Sequence, residues 1–410
     1  MQKIPQTPAP DTRVATGSVR AQRRTPARTV ASLDLLRLLA AFLVVVYHYY
    51  FYAGIETGRG GIADLIGVPV SYPSLVPYLW WGWVGVYVFF VISGYVITLS
   101  AEGRGVADFA IGRFTRLFPA LFVFASAAWL VVLWTGVLPA ETATLRYLKA
   151  LVLSPKGPWI DGGIWTLTVE AMFYLLIAIV IALGADRWLP RAARLIAYGP
   201  AVLVVVSFAA VELQLGGPAA RVAHLFDSYA ARFFLVSTGS FFATGMLAHE
   251  IRARGLTPER LLSLGVACVT SGAALYLLSL HKPGVVDFGM PPLLPTLIWG
   301  GVTLAALWAI AAEARRPVGA GLRRLARSVG LMTYPLYLVN QITGAFLIAT
   351  LLGLRLALPE ASAIAIVLIF LISFGFARWV EPPFRRLLTR ALDAGRHRLR
   401  AGRARRRRAA

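Results

Sequence analysis

The sequence predicts an all-α integral membrane protein, a bundle of about ten transmembrane helices with both termini in the cytoplasm. Three observations lead to this fold class: the composition, the spacing of apolar stretches and the distribution of Lys and Arg. Hydrophobic residues make up 58% of the 410 residues and charged residues only 15%, and the mean hydropathy is +0.68. Soluble proteins carry about 25% charged residues, so this chain has too few to cover a water-exposed surface.

The apolar stretches give the number of helices. A stretch of about 20 apolar residues is long enough to cross the hydrocarbon core of a bilayer as a helix. Because lipid offers the backbone no hydrogen-bond partners, such segments must be helical. Ten of them follow one another along the chain, at residues 33–53, 80–100, 117–137, 163–184, 195–214, 233–249, 262–280, 293–312, 330–352 and 361–381.

The basic residues indicate how these helices are oriented. Lys and Arg total 41 against 19 Asp and Glu, a formal net charge of +22. If ten helices alternate across the membrane, 31 of the 41 basic residues fall on the side of the two termini. Only 8 fall on the other side, and Arg37 and Arg378 lie inside helices. The positive-inside rule therefore predicts that both termini are cytoplasmic.

The chain divides into a transmembrane domain over residues 32–386 and two basic tails. Residues 1–31 are rich in Thr, Pro, Ala and Arg, which predicts a disordered cytoplasmic tail, and residues 387–410 form a second cytoplasmic tail. Both tails are expected to attract the anionic headgroups of the lipid bilayer. Strongly basic proteins often bind nucleic acid, but these tails lie beside membrane spans and we expect no specific nucleic acid as a partner.

The first predicted helix carries three ionisable residues, Asp34, Arg37 and His48. Ionisable groups within a span are costly and therefore point to function. Arg37 and His48 are 11 residues apart, close to three full turns, so they share one face about 16 Å apart along the axis. This spacing favours a channel entered from the cytoplasm. A structural alternative is that Arg37 snorkels to the interface and that His48 makes one interhelical hydrogen bond.

Two further predicted helices carry charged candidates. Arg113 and Arg116, three residues apart, share one helix face and suit phosphate binding, although they also fit simple positive-inside charge. Glu170 is the only acidic residue well inside the fourth predicted span, with Thr166 and Tyr174 nearby on its helix. It is suited to orient a histidine or to bind a polyol, and a structural interhelical hydrogen bond is the alternative.

The remaining polar positions are weaker signals. Asn340 and Gln341 place two amides in the ninth predicted helix, and Glu381 is expected to pair with Arg378 or Arg385 at the cytoplasmic interface. Gly85, Ser93 and Gly94 are expected to permit close helix approach. The single cysteine, Cys268, and histidines without ligand spacing predict no metal site: His224, His249, His281 and His397.

Taken together, these segments resemble the acyltransferase-3 family, the multi-pass bacterial membrane O-acyltransferases, over about residues 32–386. The matching residues are Asp34, Arg37 and His48; the segment from Gly85 to Gly94; Arg113, Arg116 and Pro119; Trp165, Leu167, Glu170, Phe173 and Tyr174; and Glu381, Pro382 and Arg385. Thr166 stands where Ser is usual in the family, which keeps the hydroxyl. Asn340 stands where many members have a histidine.

The resemblance implies an acyltransferase of the bacterial cytoplasmic membrane that transfers groups other than aminoacyl groups. It implies acyl-CoA, usually acetyl-CoA, as co-substrate, no permanently bound cofactor, and a hydroxyl of a carbohydrate or glycosylated molecule as acceptor. Arg37, Arg113 and Arg116 would bind the CoA phosphates and His48 would be the general base. Glu170 would hold the imidazole tautomer or bind the acceptor. The supporting residues expected at the site are Asp34, Tyr47, Trp165, Thr166, Tyr174 and Asn340.

A transporter or flippase is the alternative function. In such a protein the intramembrane Arg, His and Glu would form a proton relay. It would move substrate without cleaving a thioester, so release of free CoA distinguishes the two functions.

Overall fold

The computed structural model describes residues 30–56, 58, 60–217, 221, 225–226 and 228–409, with side chains as far as residue 396 except residue 186. The predicted N-terminal tail lies outside the described residues except for its last two. The helices are α1 (Ala31–Tyr50), α2 (Ile62–Ile66), α3 (Val76–Leu79), α4 (Val84–Ala101), α5 (Val106–Thr135), α6 (Ala140–Leu151), α7 (Ile164–Ala185), α8 (Arg187–Glu212), α9 (Tyr229–Phe233), α10 (Gly239–Arg254), α11 (Pro258–Ser279), α12 (Pro283–Val286), α13 (Leu294–Arg315), α14 (Ala320–Val339), α15 (Ile342–Gly353), α16 (Leu358–Gly375) and α17 (Glu381–Ala409). No strand occurs among these residues.

The predicted all-α membrane fold is confirmed. Within the described part of the chain, eight helical stretches are long and apolar enough to cross a membrane, and the bent pair α14–α15 makes a ninth if it is counted as one span. The last of the eight runs from α16 through a π-helical segment, Phe376–Val380, into α17. The predicted C-terminal tail therefore begins inside a continuous helix, α17.

The remaining predicted span, residues 233–249 and sixth in chain order, corresponds to the short helix α10. Its 16 residues reach about 24 Å at 1.5 Å per residue, less than a hydrocarbon core of about 30 Å. Every residue from Gly239 to Glu250 is buried, and α10 lies against α4, α7 and α11. Because neighbouring helices cover it, α10 does not need the length or the apolar surface of a lipid-facing span.

Local chemistry sets several of the helix ends. The side chain of Thr257 accepts a hydrogen bond from the backbone N–H of Arg260 at 3.3 Å, and Pro258 occupies the first turn of α11, where its missing N–H costs nothing. Helix α5 ends at Gly136, whose left-handed φ of +68° suits a residue without Cβ. Gly184, with φ +108°, marks the kink at which α7 ends and after which α8 begins.

Helix α1 lies between two apolar clusters. Residues such as Leu33 and Val44 belong to a cluster shared with α4, α7, α10 and α11, and residues such as Val45 and Tyr49 belong to a cluster shared with α5, α15 and α16. Large apolar side chains face outward on other helices, among them Trp134 at 84% exposure and Trp308 at 74%. An outward surface of this kind suits hydrocarbon rather than water. The first helix is thus central, which places its ionisable residues inside the bundle.

The break between α14 and α15 falls at Asn340 and Gln341, where the chain bends by 73°. Both residues are buried, at 0% and 7% exposure. The amide nitrogen of Asn340 donates to the carbonyl oxygens of Leu336 at 3.2 Å and Tyr337 at 2.6 Å. Irregular backbone at membrane depth is tolerated where protein surrounds it, and this one is enclosed.

Candidate functional site

A cavity of about 310 Å³ lies between α1, α4, α5, α7 and α14, at the end of the bundle where α1 begins. We call this end the basic end. Seven of the predicted site residues line the cavity: Asp34, Arg37, Arg113, Arg116, Thr166, Glu170 and Tyr174. The sequence assigned them to three different helices, and the fold brings those helices together around one space.

The charge of this cavity is strongly positive. Among the described residues, five arginines and two acidic residues line it. The two arginines that sequence reasoning did not single out as ligands for an anion are Arg327 and Arg385. Arg327 belongs to the basic run before the ninth span. In such a run, the sequence does not distinguish an arginine that orients the chain from one that binds a ligand. A surplus of cations in a partly desolvated site attracts polyanions.

Asp34 compensates one of these arginines. The Nη1 of Arg37 donates to the Asp34 carboxylate at 2.6 Å, one helical turn away. Asp34 packs against Gly330 of α14, where a Cβ would lie 2.7 Å from the carboxylate. The small residue on α14 therefore leaves room for the acid that orients Arg37.

The expected pairing of Glu381 is wrong. Glu381 forms an ion pair with Arg116, not with Arg378 or Arg385. The carboxylate is only 4% exposed, and a buried charge needs a partner on a helix packed against it. Because α17 packs against α5, the nearest such cation is Arg116.

Arg113 keeps hydrogen-bonding capacity for a ligand. Its guanidinium carbon lies 5.8 Å from the centre of the Phe109 ring and 6.0 Å from that of Tyr174, so aromatic faces hold it in place. Its Nε is buried without a hydrogen-bond partner among the described residues. A buried donor of this kind is costly, and an anion in the cavity would satisfy it.

Glu170 contacts α4, not His48. The hydroxyl of Ser93 donates to Glu170 Oε1 at 2.6 Å, which is the interhelical hydrogen bond considered as the structural alternative. Of the two functional readings of Glu170, holding the imidazole tautomer does not fit this geometry, because other residues hold the ring. Binding of a hydroxyl-bearing substrate fits, since Glu170 lines the cavity.

His48 lies deeper in the bundle and is not among the residues that line the cavity. It is 7% exposed. Its Nδ1 lies 2.6 Å from Asn340 Oδ1, and its Nε2 lies 3.1 Å from Gln341 Nε2. Both ring nitrogens are therefore held by the two amides at the helix break. Gln341 was noted in the sequence only as one of two adjacent amides, and its role at the ring was missed.

The surrounding hydrogen bonds assign the tautomer of His48. The amide nitrogen of Asn340 faces two carbonyl oxygens, so the amide oxygen of Asn340 faces His48. Because that oxygen can only accept a hydrogen bond, Nδ1 of His48 must carry the proton. Gln341 Oε1 accepts from the backbone N–H of Gly163 at 3.2 Å, so the Gln341 nitrogen faces His48 and donates to Nε2. The ring is consequently neutral, with its lone pair on Nε2.

Hydrogen bonds connect this histidine to the inner end of the cavity. The hydroxyl of Tyr337, which lines the cavity, donates to the carbonyl oxygen of Gly163 at 3.0 Å. Thr166 lies beside it, 2.9 Å from the Tyr337 hydroxyl. Gly163 in turn contacts Gln341. The chain of polar groups from Tyr337 through Gly163 and Gln341 thus ends at Nε2 of His48.

Asp161 supports the same region from the opposite side and was missed in the sequence. Its carboxylate accepts from the backbone N–H of Gly163 at 2.8 Å and of Ile342 at 3.4 Å. It is 3% exposed. Burial raises the pKa of Asp161 to about 7, against the lowering effect of these two hydrogen bonds. Its only signal in the sequence is an isolated acid directly before the fourth span.

Besides His48 and Asn340, two more predicted site residues lie away from the cavity. Tyr47 stacks on Tyr52, with ring centres 5.6 Å apart, and its ring centre is 5.5 Å from that of His48. Trp165 packs edge-on against Phe90 and beneath the guanidinium of Arg232. Tyr47 therefore shapes the surroundings of His48, while Trp165 contributes packing of α7.

No group of three metal-ligating side chains comes together in the described part of the chain. His249, one of the scattered histidines, pairs with Glu102 at 3.0 Å. The candidate site is therefore organised around arginines and one neutral histidine.

Comparison with known proteins places the chain beside membrane acyltransferases. A family model described as an acyltransferase domain matches residues 30–378. The chain is 30% identical over 191 residues to Nodulation protein 10 of Rhizobium leguminosarum bv. viciae, covering 40% of this chain and 48% of that protein. No solved structure matches this chain.

Two further relatives carry names that state an activity. A putative peptidoglycan O-acetyltransferase of Bacillus subtilis is 26% identical over 217 residues, covering 48% of this chain and 30% of that protein. An O-acetyl transferase of Shigella phage Sf6 is 26% identical over 165 residues, covering 36% of this chain and 45% of that protein. The matches span less than half the length of each of the three curated relatives.

Proposed function

Because this chain belongs to the acyltransferase-3 family, we propose that it transfers an acyl group, typically acetyl, from cytoplasmic acyl-CoA to a hydroxyl of a carbohydrate or glycosylated acceptor. Two relatives are named as O-acetyltransferases. Their names support acetyl as the transferred group and oxygen as the atom that receives it. The proposal places the protein in the bacterial cytoplasmic membrane with the basic end facing the cytoplasm, where CoA is available.

One observation carries the proposal: a cavity lined by five arginines is joined by hydrogen bonds to a neutral histidine. The arginines suit the phosphates of CoA, since guanidinium binds phosphate through paired N–H groups. Arg37, Arg113 and Arg116 would hold the diphosphate, and the thioester arm would extend toward Tyr337. The residues present thus supply a polyanion site and a general base along one path.

His48 would act as the general base in the transfer step. The acceptor hydroxyl first displaces the Gln341 amide from Nε2 of His48. Nε2 then takes the proton of that hydroxyl. The hydroxyl oxygen then forms the new ester bond with the thioester carbonyl carbon. The carbon–sulfur bond breaks, and the proton passes from His48 to the sulfur of CoA. Glu170 would bind a further hydroxyl of the acceptor.

Replacement of His48 by Ala tests this assignment. Since general base catalysis contributes roughly 10²- to 10⁴-fold, we expect His48→Ala to insert into membranes normally and to lose acyl transfer by at least 10²-fold. The measurement is transfer of label from acetyl-CoA to a bacterial glycan extract by purified protein. His281→Ala, which changes an exposed histidine, is the matched control.

Two outcomes would contradict the proposal. Wild-type transfer by purified His48→Ala would remove His48 from the mechanism. Movement of a glycan across vesicles by the wild type, without release of free CoA, would favour the transporter alternative over the acyltransferase.

A further inference from the structure

A second cavity opens at the basic end, between α14 and α17, with a volume of about 510 Å³. Its cationic residues are Arg327, Arg385, Arg386 and Arg390, and we call it the arginine groove. Arg327 and Arg385 line both the groove and the deeper cavity. The two spaces are therefore neighbours that share a wall of arginine side chains.

The charges of the groove are not balanced within the described structure. Its one acidic residue is Glu381, which already pairs with Arg116. None of the four guanidinium groups has an ion pair or a side-chain hydrogen bond among the described side chains. Arg386 and Arg390 are four residues apart on α17, a spacing at which like charges repel. An anion bound between them would offset that repulsion.

The groove and the three arginines proposed to bind the diphosphate of CoA lie on different helices. Those three come from α1 and α5, whereas Arg386 and Arg390 come from α17, outside the deeper cavity. An acyl-CoA whose thioester points inward toward Tyr337 would leave its adenosine end at the basic end of the bundle. That end carries a phosphate on the 3′ position of the ribose.

We propose that the arginine groove binds the 3′-phosphate of acyl-CoA and makes the enzyme select CoA thioesters over otherwise identical thioesters that lack this phosphate. This inference rests on the proposed function, because it takes acyl-CoA as the donor. Arg386 and Arg390 donate paired hydrogen bonds to the phosphate oxygens. Arg327 and Arg385 contact both the 3′-phosphate and the diphosphate, since they border both spaces.

A phosphate can also come from a lipid headgroup, because the groove directly follows the apolar helix α16 along the chain. Continuity with the cavity favours the nucleotide: a headgroup would satisfy the same arginines without any relation to the thioester. The nucleotide and the lipid headgroup can be told apart by removing one phosphate source at a time. Removal of the 3′-phosphate from the donor affects only the nucleotide, and removal of anionic lipid affects only the headgroup.

Equilibrium binding of labelled acetyl-CoA to the full chain in phosphatidylcholine nanodiscs tests the proposal. We expect the wild type to bind acetyl-CoA about tenfold more tightly than acetyl-dephospho-CoA, a ratio equal to about one strong phosphate contact. The double variant Arg386→Gln/Arg390→Gln should bind acetyl-CoA about tenfold more weakly and acetyl-dephospho-CoA nearly unchanged. Arg386→Lys/Arg390→Lys should recover part of the preference. Arg324→Gln, an exposed arginine of α14 outside both cavities, should match the wild type.

The outcomes separate this inference from the proposed function. The assignment of the groove is overturned if the wild type binds acetyl-CoA no more tightly than acetyl-dephospho-CoA, or if the double Gln variant keeps the preference. In either case acyl-CoA remains the proposed donor. If the wild type binds neither thioester, the proposed function itself fails. If the variants change binding only in nanodiscs that contain phosphatidylglycerol, and equally for both thioesters, the groove binds lipid headgroups and the inference is wrong.

Discussion

The nitrogen of His48 that carries the lone pair is held by Gln341, and its other nitrogen is held by Asn340. The spacing of Arg37 and His48 predicted that both belong to one functional face. It could not predict the partners of the imidazole, because those residues lie 292 and 293 positions away in the chain. A histidine that finds amide partners at a broken helix has a fixed tautomer without a nearby carboxylate. Asn340 therefore orients the ring through its contact with Nδ1.

Replacement of Asn340 tests this positioning role. Asn340→Leu removes the acceptor for Nδ1–H at similar volume, so we expect acyl transfer to fall by about 10- to 100-fold, the loss that follows removal of the groups orienting metal-bound histidines. Asn340→Asp keeps the acceptor oxygen and should retain more activity. It should also move the acidic limb of the pH–rate profile to higher pH, since a carboxylate stabilises the imidazolium. An unchanged rate in Asn340→Leu, or an unchanged profile in Asn340→Asp, would contradict the role.

At the scale of elements, α4 and α10 pack closely through two glycines. A Cβ added at Gly94 would lie 2.0 Å from the carbonyl oxygen of Phe242, and one added at Gly245 would lie 1.9 Å from that of Val91. The sequence predicted close approach at Gly94, and the structure confirms it. The sequence did not show that α10 is buried from Gly239 to Glu250, because its Ser, Thr and Gly residues look like a weak span when the neighbours are unknown.

Glycine replacement measures how much this contact contributes. In Gly245→Ala the new methyl group meets backbone atoms that cannot rotate away, so we expect destabilisation of at least about 1–3 kcal/mol, the usual cost of overpacking. Gly265→Ala is the matched control, because nothing lies within 4 Å of its added Cβ and Ala favours a helix by about 1 kcal/mol over Gly. Thermal unfolding in detergent should separate the two variants. Equal midpoints would show that α4 and α10 separate without cost.

At the scale of the whole molecule, sorting the basic residues by side predicts which end of the bundle faces the cytoplasm. The same end carries the cavity and the arginine groove. Most of the basic surplus is therefore expected to orient the chain, while a small number of arginines are arranged around enclosed space. Sequence patterns do not separate these two groups, because an arginine beside a span has the same flanking residues in either case.

Cysteine labelling of intact cells tests this orientation. In a background with Cys268→Ala, a membrane-impermeant maleimide should label Lys156→Cys, which lies in the loop between α6 and α7. It should not label Ala320→Cys, at the start of α14, until the cells are opened. Both positions are exposed, so access to the reagent decides the result. The reverse pattern would place the basic end outside the cell and would contradict a cytoplasmic donor.

The sequence alone determined the all-helical membrane fold, the approximate number of spans and seven of the residues that line the cavity. These follow from local properties: the length of apolar stretches, the residue types inside them and their spacing on one helix. Only the tertiary structure decided the partners of each charged or polar group: Arg116 with Glu381, Glu170 with Ser93, and His48 with the two amides. A buried polar group must find a partner wherever the packing offers one, and that choice depends on which helices lie side by side.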